Sequence, residues 1–208
     1  MSIINISDIT VLNNPARFTD PYIFKITFEC MAPLEDDLEW KLTYVGSAES
    51  ESFDQELDTC MVGPVPVGVN SFEFEAAAPS PDRIPSSDLI GVTVILLTCA
   101  YNDQEFVRIG YYVNTEYGDA ALKAQHEASL EEDAAARGLS APDPSKHIDQ
   151  LERSVLAEKP RVTKFNIKWD ASTLGPTTSD PLLQAQPLGD AAGTAPPPFN
   201  PYTAAQAA

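Results

Sequence analysis

Side chains that commonly carry out acid–base or metal chemistry are scarce in this sequence. Its two histidines, His126 and His147, lie in a polar stretch and at a predicted helix start, where no second residue is expected to hold an imidazole as a general base. The chain has no glycine-rich phosphate loop and no GxSxG or HExxH motif. Its acidic runs lack the DxDxDG spacing of a calcium loop. The sequence therefore predicts a protein that is not an enzyme and that uses no metal or other cofactor.

Charge and cysteine content narrow the class of partner. The 208 residues carry a formal charge of -18, and phosphate contacts need lysine and arginine on one face. We therefore expect a basic partner rather than nucleic acid or an anionic membrane. Cys30, Cys60 and Cys99 show no CxxC spacing and are predicted to be reduced. No basic leader or long apolar run occurs at the start, and no window approaches a membrane span, so a soluble intracellular protein is expected.

The element that must position any binding site is a predicted hairpin over residues 89–117, where two β-rich runs flank a polar turn. The first run is apolar in both alternating rows, and the second indicates that odd-numbered residues face the core. Inward residues oppose each other only if the turn holds an odd number of residues, most simply 102–104, which sets Val94 beside Tyr112. The outward face then carries Val92, Val94, Leu96 and Tyr112, with Arg108 near its edge. Either another layer of the chain or a partner must cover this face.

Further strands are predicted around this hairpin. Alternating apolar and polar residues, or β-rich stretches, occur at 3–12, 24–30, 38–45, 54–62, 72–75 and 163–169. Val45 belongs to the outward row of its strand. Residues 119–137 are predicted to form a solvated helix or a flexible excursion. A second helix is predicted to begin at Asp143 and Pro144, with an inward stripe of Ile148, Leu151, Val155 and Leu156.

These elements predict an all-β fold, an immunoglobulin-like antiparallel β-sandwich with one or more short helices in its connections. Residues 1–170 would form this core. Residues 171–208 are rich in proline and alanine and contain no lysine or arginine, so they are predicted to form a disordered tail.

Seven long stretches carry a family resemblance. They are VLNNPARFTDPY at 11–22, FKITFEC at 24–30, DLEWKLTYVGS at 37–47, VGPVPVG at 62–68, GVTVILLTC at 91–99, FVRIGYYVN at 106–114 and EKPRVTKFNI at 158–167. Together they resemble the anti-silencing-function family of eukaryotic histone chaperones. The resemblance covers nearly all of residues 1–170 apart from 118–147, where the connection is longer than is usual in the family.

The resemblance implies a sandwich that binds a heterodimer of histones three and four, blocks its tetramerisation and hands it to nucleosome assembly factors. The outward face of the hairpin would hold the histone site. Its apolar seat would comprise Val45, Val92, Val94, Leu96 and Tyr112, and its polar contacts would come from Asp54, Asp88 and Arg108. An apolar centre with a charged rim is typical of a hot-spot interface. The resemblance also implies that the C-terminal tail of histone four adds a strand to one sheet edge.

A second implied site lies in an acidic region. Between residues 29 and 58 ten acidic residues accompany a single base, Lys41, and this pattern alone indicates a solvated face. The resemblance implies that Asp36 and Asp37 within it bind a basic, hairpin-like segment of chromatin assembly factors. It further implies a nuclear monomer that contacts neither nucleic acid nor membrane directly. Two other classes stay open, namely an acidic β-sandwich adaptor for non-histone basic peptides and a hydrolase or metal protein with a site not recognised in the sequence.

Overall fold

A computed structural model describes residues 2–169, so the predicted disordered tail lies outside the described part of the chain. Within that part the strands are β1 (Ile4–Val11), β2 (Ala16–Arg17), β3 (Tyr22–Cys30), β4 (Leu38–Tyr44), β5 (Gln55–Val62), β6 (Gly68–Ala76), β7 (Gly91–Tyr101), β8 (Gln104–Tyr117), β9 (Leu151–Val155) and β10 (Arg161–Lys164). One α-helix, α1 (Ala120–Ser129), follows β8. Short 3₁₀ turns occupy Glu51–Phe53, Pro81–Arg83, Ser86–Asp88, Pro144–Lys146 and Ile148–Gln150.

The strands form two antiparallel sheets. The smaller sheet has the order β1-β3-β6, and the larger has the order β2-β9-β8-β7-β4-β5. Strand β8 is long enough to pair with two short strands along one edge, because β10 meets Val107 to Gly110 and β9 meets Val113 to Tyr117. The predicted all-β sandwich with a short helix in its connections is confirmed.

The inner faces of the sheets enclose one hydrophobic core. Alternate residues of β3, β4 and β7 are almost completely buried, as the period-two pattern predicts. Phe28 on β3 and Trp40 on β4 meet between the sheets with ring centroids 6.2 Å apart, and Phe72 of β6 packs edge-on against Phe28. The cysteines are free thiols; Cys30 and Cys99 are buried, and burial raises the pKa of both.

The turn of the central hairpin differs from the prediction. Only Asn102 and Asp103 connect the strands, with φ angles of 50° and 58°, as a tight turn with two left-handed residues requires. A two-residue turn alone would place the even-numbered residues of β8 opposite the inward residues of β7. A β-bulge corrects this, because Cys99 pairs with Val107 whereas Ala100 pairs with Glu105, which leaves Phe106 as the extra residue. The predicted pairing of Val94 with Tyr112 is therefore confirmed, but the three-residue turn is wrong.

The helix predicted from Asp143 is also wrong. Asp143 does cap a turn, since its carboxylate accepts the N–H of Ser145, but the turn is a short 3₁₀ segment. The stretch beyond it forms β9, in which Leu151, Arg153 and Val155 point inward. Arg153 is fully buried, with its guanidinium 3.7 Å from the ring centroid of Tyr22. An arginine at an inward position hides the alternating apolar pattern of a strand.

The remaining connections match the predictions in part. Helix α1 is capped by Asp119 and has no buried residue, as expected of a solvated helix, but it ends at Ser129 rather than near residue 137. The last strand runs over Arg161–Lys164 instead of 163–169. Beyond it Trp169 stacks on Tyr101, with ring centroids 5.4 Å apart, and so closes one end of the core.

Candidate functional site

The outward face of the larger sheet carries the predicted apolar seat. Its centre is the β7–β8 pair, where Val94 stands opposite Tyr112 and Leu96 opposite Gly110. Val45 directly follows β4, and its N–H donates to the Val94 carbonyl at 2.9 Å. The structure therefore brings the five predicted apolar residues together on one face, four of them on β7 and β8.

These five residues differ in how much surface they offer. Val92 is 67% exposed, and Leu96 and Tyr112 are half-buried. Val94 is only 5% exposed and Val45 only 3%, yet neither belongs to the core between the sheets. Val45 is thus covered by its neighbours, although its position in the outward row of its strand had predicted an exposed side chain. Val92, Leu96 and Tyr112 offer most of the accessible area of the predicted seat, and Val45 and Val94 form its base.

Leu156 belongs to this face and was missed in the sequence. Its N–H donates to the Tyr112 carbonyl at 2.8 Å, so it extends the register of β9 beside Tyr112. Its side chain is 43% exposed. The helix predicted there placed Leu156 in a buried stripe. Period-two alternation from Val155 would have placed it on the outward face instead.

Two acidic residues lie at one end of the face. Asp54 directly follows the 3₁₀ turn Glu51–Phe53 and immediately precedes β5, and its side chain is partly buried. Asp88 ends the 3₁₀ turn before β7 and accepts a hydrogen bond from the Ser87 hydroxyl at 3.2 Å. Burial, with smaller contributions from Tyr22 and Asp88, raises the pKa of Tyr44 above its ordinary value. Two residues separate Asp88 from β7, and Val45 is hydrogen-bonded to Val94 near the start of that strand, so both lie towards the same end of the sheet.

The predicted base lies towards the other end. Arg108 stands opposite Thr98, which is seven residues beyond the first residue of β7, or about 23 Å along the strand. Its guanidinium makes a two-point ion pair with Glu105, with Nε to Oε1 at 2.8 Å and Nη2 to Oε2 at 3.0 Å. The face therefore has an apolar centre, acids at one end and a base at the other.

The acidic pair Asp36 and Asp37 forms a separate site. Both residues are exposed in the loop between β3 and β4. The backbone N–H groups of Glu35 and Asp36 donate to the Tyr101 hydroxyl at 3.2 and 3.3 Å, which ties this loop to the far end of β7. The Asp37 carboxylate lies directly over Gly63, where a Cβ atom would come within 1.7 Å of its Oδ1. The pair is thus held at the end of β5.

A groove opens at the edge of the sandwich between β1 and β10. It has a volume of about 430 Å³ and is lined mainly by apolar side chains of three strands, including Ile6, Ile9, Val107, Ile109, Tyr111 and Val162. Burial, together with the nearby Asp8, raises the pKa of Tyr111 to about 12. Among residues 2–169, β10 pairs only with β8, so its second edge has no strand partner there.

The two histidines share one aromatic neighbour. The rings of His126 and His147 both pack edge-on against Tyr117, at centroid distances of 5.8 and 6.4 Å. In the described part of the chain no group of three His, Cys, Asp or Glu residues is arranged to hold a metal ion. Over the same residues, no helix combines the length and apolar character needed to span a membrane.

Comparison with known proteins identifies the family. A model described as "ASF1 like histone chaperone" matches residues 1–170. The chain is 55% identical over 188 residues to a histone chaperone ASF1 of Mycosarcoma maydis, covering 90% of this chain and 99% of that protein. It is 58% identical over 170 residues to histone chaperone ASF1 of Candida albicans and 54% identical over 181 residues to histone chaperone asf-1 of Neurospora crassa.

The extent of these matches differs between relatives. They cover 82% and 87% of this chain, but only 62% of the Candida protein and 61% of the Neurospora protein. The chain thus spans less than two thirds of the length of these two relatives. The match nevertheless includes both strands of the central hairpin and the loop that carries Asp36 and Asp37. The chain belongs to the family of ASF1-like histone chaperones.

Proposed function

We propose that the outward face of the larger sheet binds a heterodimer of histones three and four and covers the helix through which histone three self-associates. The observation that carries this proposal is Val92, which is 67% exposed on the same face as Leu96 and Tyr112. Full burial of an exposed apolar side chain contributes about 1.5 to 3 kcal/mol, and Val92 would gain much of this in an interface. The self-association helix of histone three cannot bind two partners at once. A chaperone that covers this helix therefore prevents tetramerisation.

Charge supports the same partner. A chain with a formal charge of -18 attracts basic histones over a long range, and Asp54 and Asp88 place acids at the rim of the apolar face. Charge alone does not distinguish one basic segment from another. The apolar centre supplies this specificity, because only a helix with a complementary apolar face fits it.

The edge of β10 that has no strand partner among residues 2–169 is the candidate acceptor for the C-terminal tail of histone four. An extended segment that pairs with β10 would extend the larger sheet and gain main-chain hydrogen bonds. Alternate side chains of that segment would face the groove lined by Ile9, Ile109 and Val162. An apolar or aromatic side chain fits the chemistry of this groove.

Handover would use the second site. Strand β5 ends the larger sheet and pairs only with β4 among the described residues, and Asp37 lies at its end. A basic hairpin of an assembly factor could pair with this edge and place an arginine or lysine on the two carboxylates. The chaperone would thus hold histones on one face while the assembly factor binds elsewhere. This cycle takes place in the nucleus and requires no nucleotide, metal or covalent step.

The decisive experiment titrates histones three and four into the wild-type chain and into Val94→Arg, with complex size followed by sedimentation at near-physiological salt. The wild type should form a complex of one chain with one histone heterodimer. Val94→Arg should lose at least ~2 kcal/mol of binding free energy, because it places an unpaired charge at the base of the apolar face.

Two further variants make the result interpretable. Val92→Arg changes a residue that is already 67% exposed, so weakened binding would not reflect unfolding. Val69→Arg changes a valine that is 74% exposed on the smaller sheet and should bind like the wild type. Equal binding by all four proteins would mean that any histone affinity comes only from general attraction between acidic and basic residues.

The adaptor hypothesis rests on the exposure of Asp36 and Asp37. If the protein mainly binds non-histone basic peptides there, charge reversal of both residues would abolish its function whereas Val94→Arg would not. Histone binding that survives the double charge reversal but not Val94→Arg would support the chaperone function.

A further inference from the structure

The ion pair of Arg108 depends on an irregularity of β8. In a regular strand, residues three apart point to opposite faces, so Glu105 and Arg108 should not meet. The bulge at Phe106 shifts the alternation by one residue between them. Glu105 then stands opposite Ala100 and Arg108 opposite Thr98, and both side chains lie on the outward face. The two-point contact at 2.8 and 3.0 Å is therefore a product of the bulge.

The same bulge supports Arg108 from a second direction. The carbonyl of Phe106, the extra residue, accepts the N–H of Phe165 at 2.8 Å. The Phe165 ring in turn lies 5.8 Å from the Arg108 guanidinium carbon, within the range of a cation–π contact. One bulge thus places an anion and an aromatic ring against a single guanidinium.

These supports leave part of the guanidinium available. Glu105 occupies Nε and one position of Nη2, and Nη1 has no hydrogen-bond partner among residues 2–169. Arginine presents five N–H donors in a rigid fork, so its remaining edge can receive one further acceptor. The side chain of Arg108 is 36% exposed, so a partner can reach it from solvent.

We propose that Glu105 and Phe165 are positioning residues that hold Arg108 ready to bind a carboxylate or carbonyl of the docked histone. The inference rests on the proposed function and adds a role for two residues outside the predicted site. A long arginine side chain loses rotamer freedom when it binds, and a side chain already held in place loses less. Because acids occupy the opposite end of the face, a held base at this end also specifies the direction in which the partner docks.

A double-mutant cycle tests this role. The dissociation constant for the histone heterodimer is measured for the wild type, Glu105→Gln, Arg108→Gln and the double variant. Glu105→Gln should weaken binding about two- to fivefold, as expected for a partly exposed ion pair. In the Arg108→Gln background the same change should have no effect. Phe165→Leu should show the same dependence on Arg108.

The control is Glu56→Gln, which also removes one negative charge from an ion pair in the larger sheet, the pair with Lys41. Its effect should be small and should persist in Arg108→Gln. A second readout needs no histone, because the Arg108 Nε–H resonance should exchange faster with water in Glu105→Gln than in the wild type.

The outcomes separate the two proposals. If the wild type does not bind the histone heterodimer, the proposed function fails and this inference fails with it. If the wild type binds and Arg108→Gln weakens binding, but Glu105→Gln binds as well as or better than the wild type, only the positioning role is overturned. An unchanged affinity in Arg108→Gln would also overturn it.

Discussion

Strands β3 and β7, one from each sheet, both bury their inward rows but differ in their outward rows. On β3 of the smaller sheet the outward row is Ile23, Lys25, Thr27 and Glu29, and on β7 of the larger sheet it includes Val92, Val94 and Leu96. The inward rows of both strands are almost completely buried. The smaller sheet therefore shows that the sandwich does not need a continuous apolar row on an outer face. The continuous apolar row of the larger sheet is the feature on which the proposed binding site rests.

Two adjacent leucines of β7 provide the test with the largest expected effect. Leu97 is fully buried between the sheets, and Leu97→Ala should lower the free energy of unfolding by about 2 to 5 kcal/mol. Leu96 is half-buried on the outer face, so Leu96→Ala should cost less than about 1.5 kcal/mol. Chemical denaturation measures both values. Equal losses would mean that the outer row also supports the fold, and the contrast between the sheets would disappear.

The boundary of the apolar face is tested at Leu156. Leu156→Asp should weaken binding of the histone heterodimer about tenfold, because it places a charge beside Tyr112 where an apolar contact is expected. The unfolding free energy should change little, since the side chain is 43% exposed. Val69→Asp introduces the same charge on the smaller sheet and is the matched control. If the two variants bind alike, the apolar face ends at Tyr112.

The smallest effect is expected from the charges of the smaller sheet. Glu73 and Glu75 are exposed on β6, and their joint replacement by lysine should change stability by less than about 0.5 kcal/mol per site. Histone affinity should also change little, whereas lysine at Asp54 and Asp88 should reduce it clearly. Titration at two salt concentrations distinguishes local from long-range effects. Similar losses for both pairs would show that total charge, rather than the site, controls binding.

Several features of the fold and of the candidate site could be predicted from the sequence. The inward rows of β3, β4 and β7 follow from alternation, and the pairing of Val94 with Tyr112 follows from the requirement that inward residues oppose each other. The roles proposed for Asp36, Asp54 and Asp88 came from the family resemblance. Alternation could not reveal them, because an acidic residue in a loop has the same local pattern whether or not it binds a partner.

Other features depend on neighbouring strands and could not be predicted locally. Arg153 occupies an inward position of β9 because the ring of Tyr22 and the carbonyls of Asp20 and Pro21 receive its guanidinium. The sequence around it therefore resembled a helix. Because β9 was not predicted, Leu156 was not recognised as part of the face, since its place beside Tyr112 depends on the pairing of β9 with β8.

The sequence by itself determined which rows of the main strands face the core, because alternation is a local pattern. It also determined to which family the chain is similar, because long motifs can be recognised directly in the sequence. Only the tertiary structure decided how much of each outward side chain remains accessible, and that Glu105 meets Arg108. Accessibility depends on the residues packed alongside. A bulge arises where the two-residue turn and the register of the paired strands must be reconciled, which neither strand specifies alone.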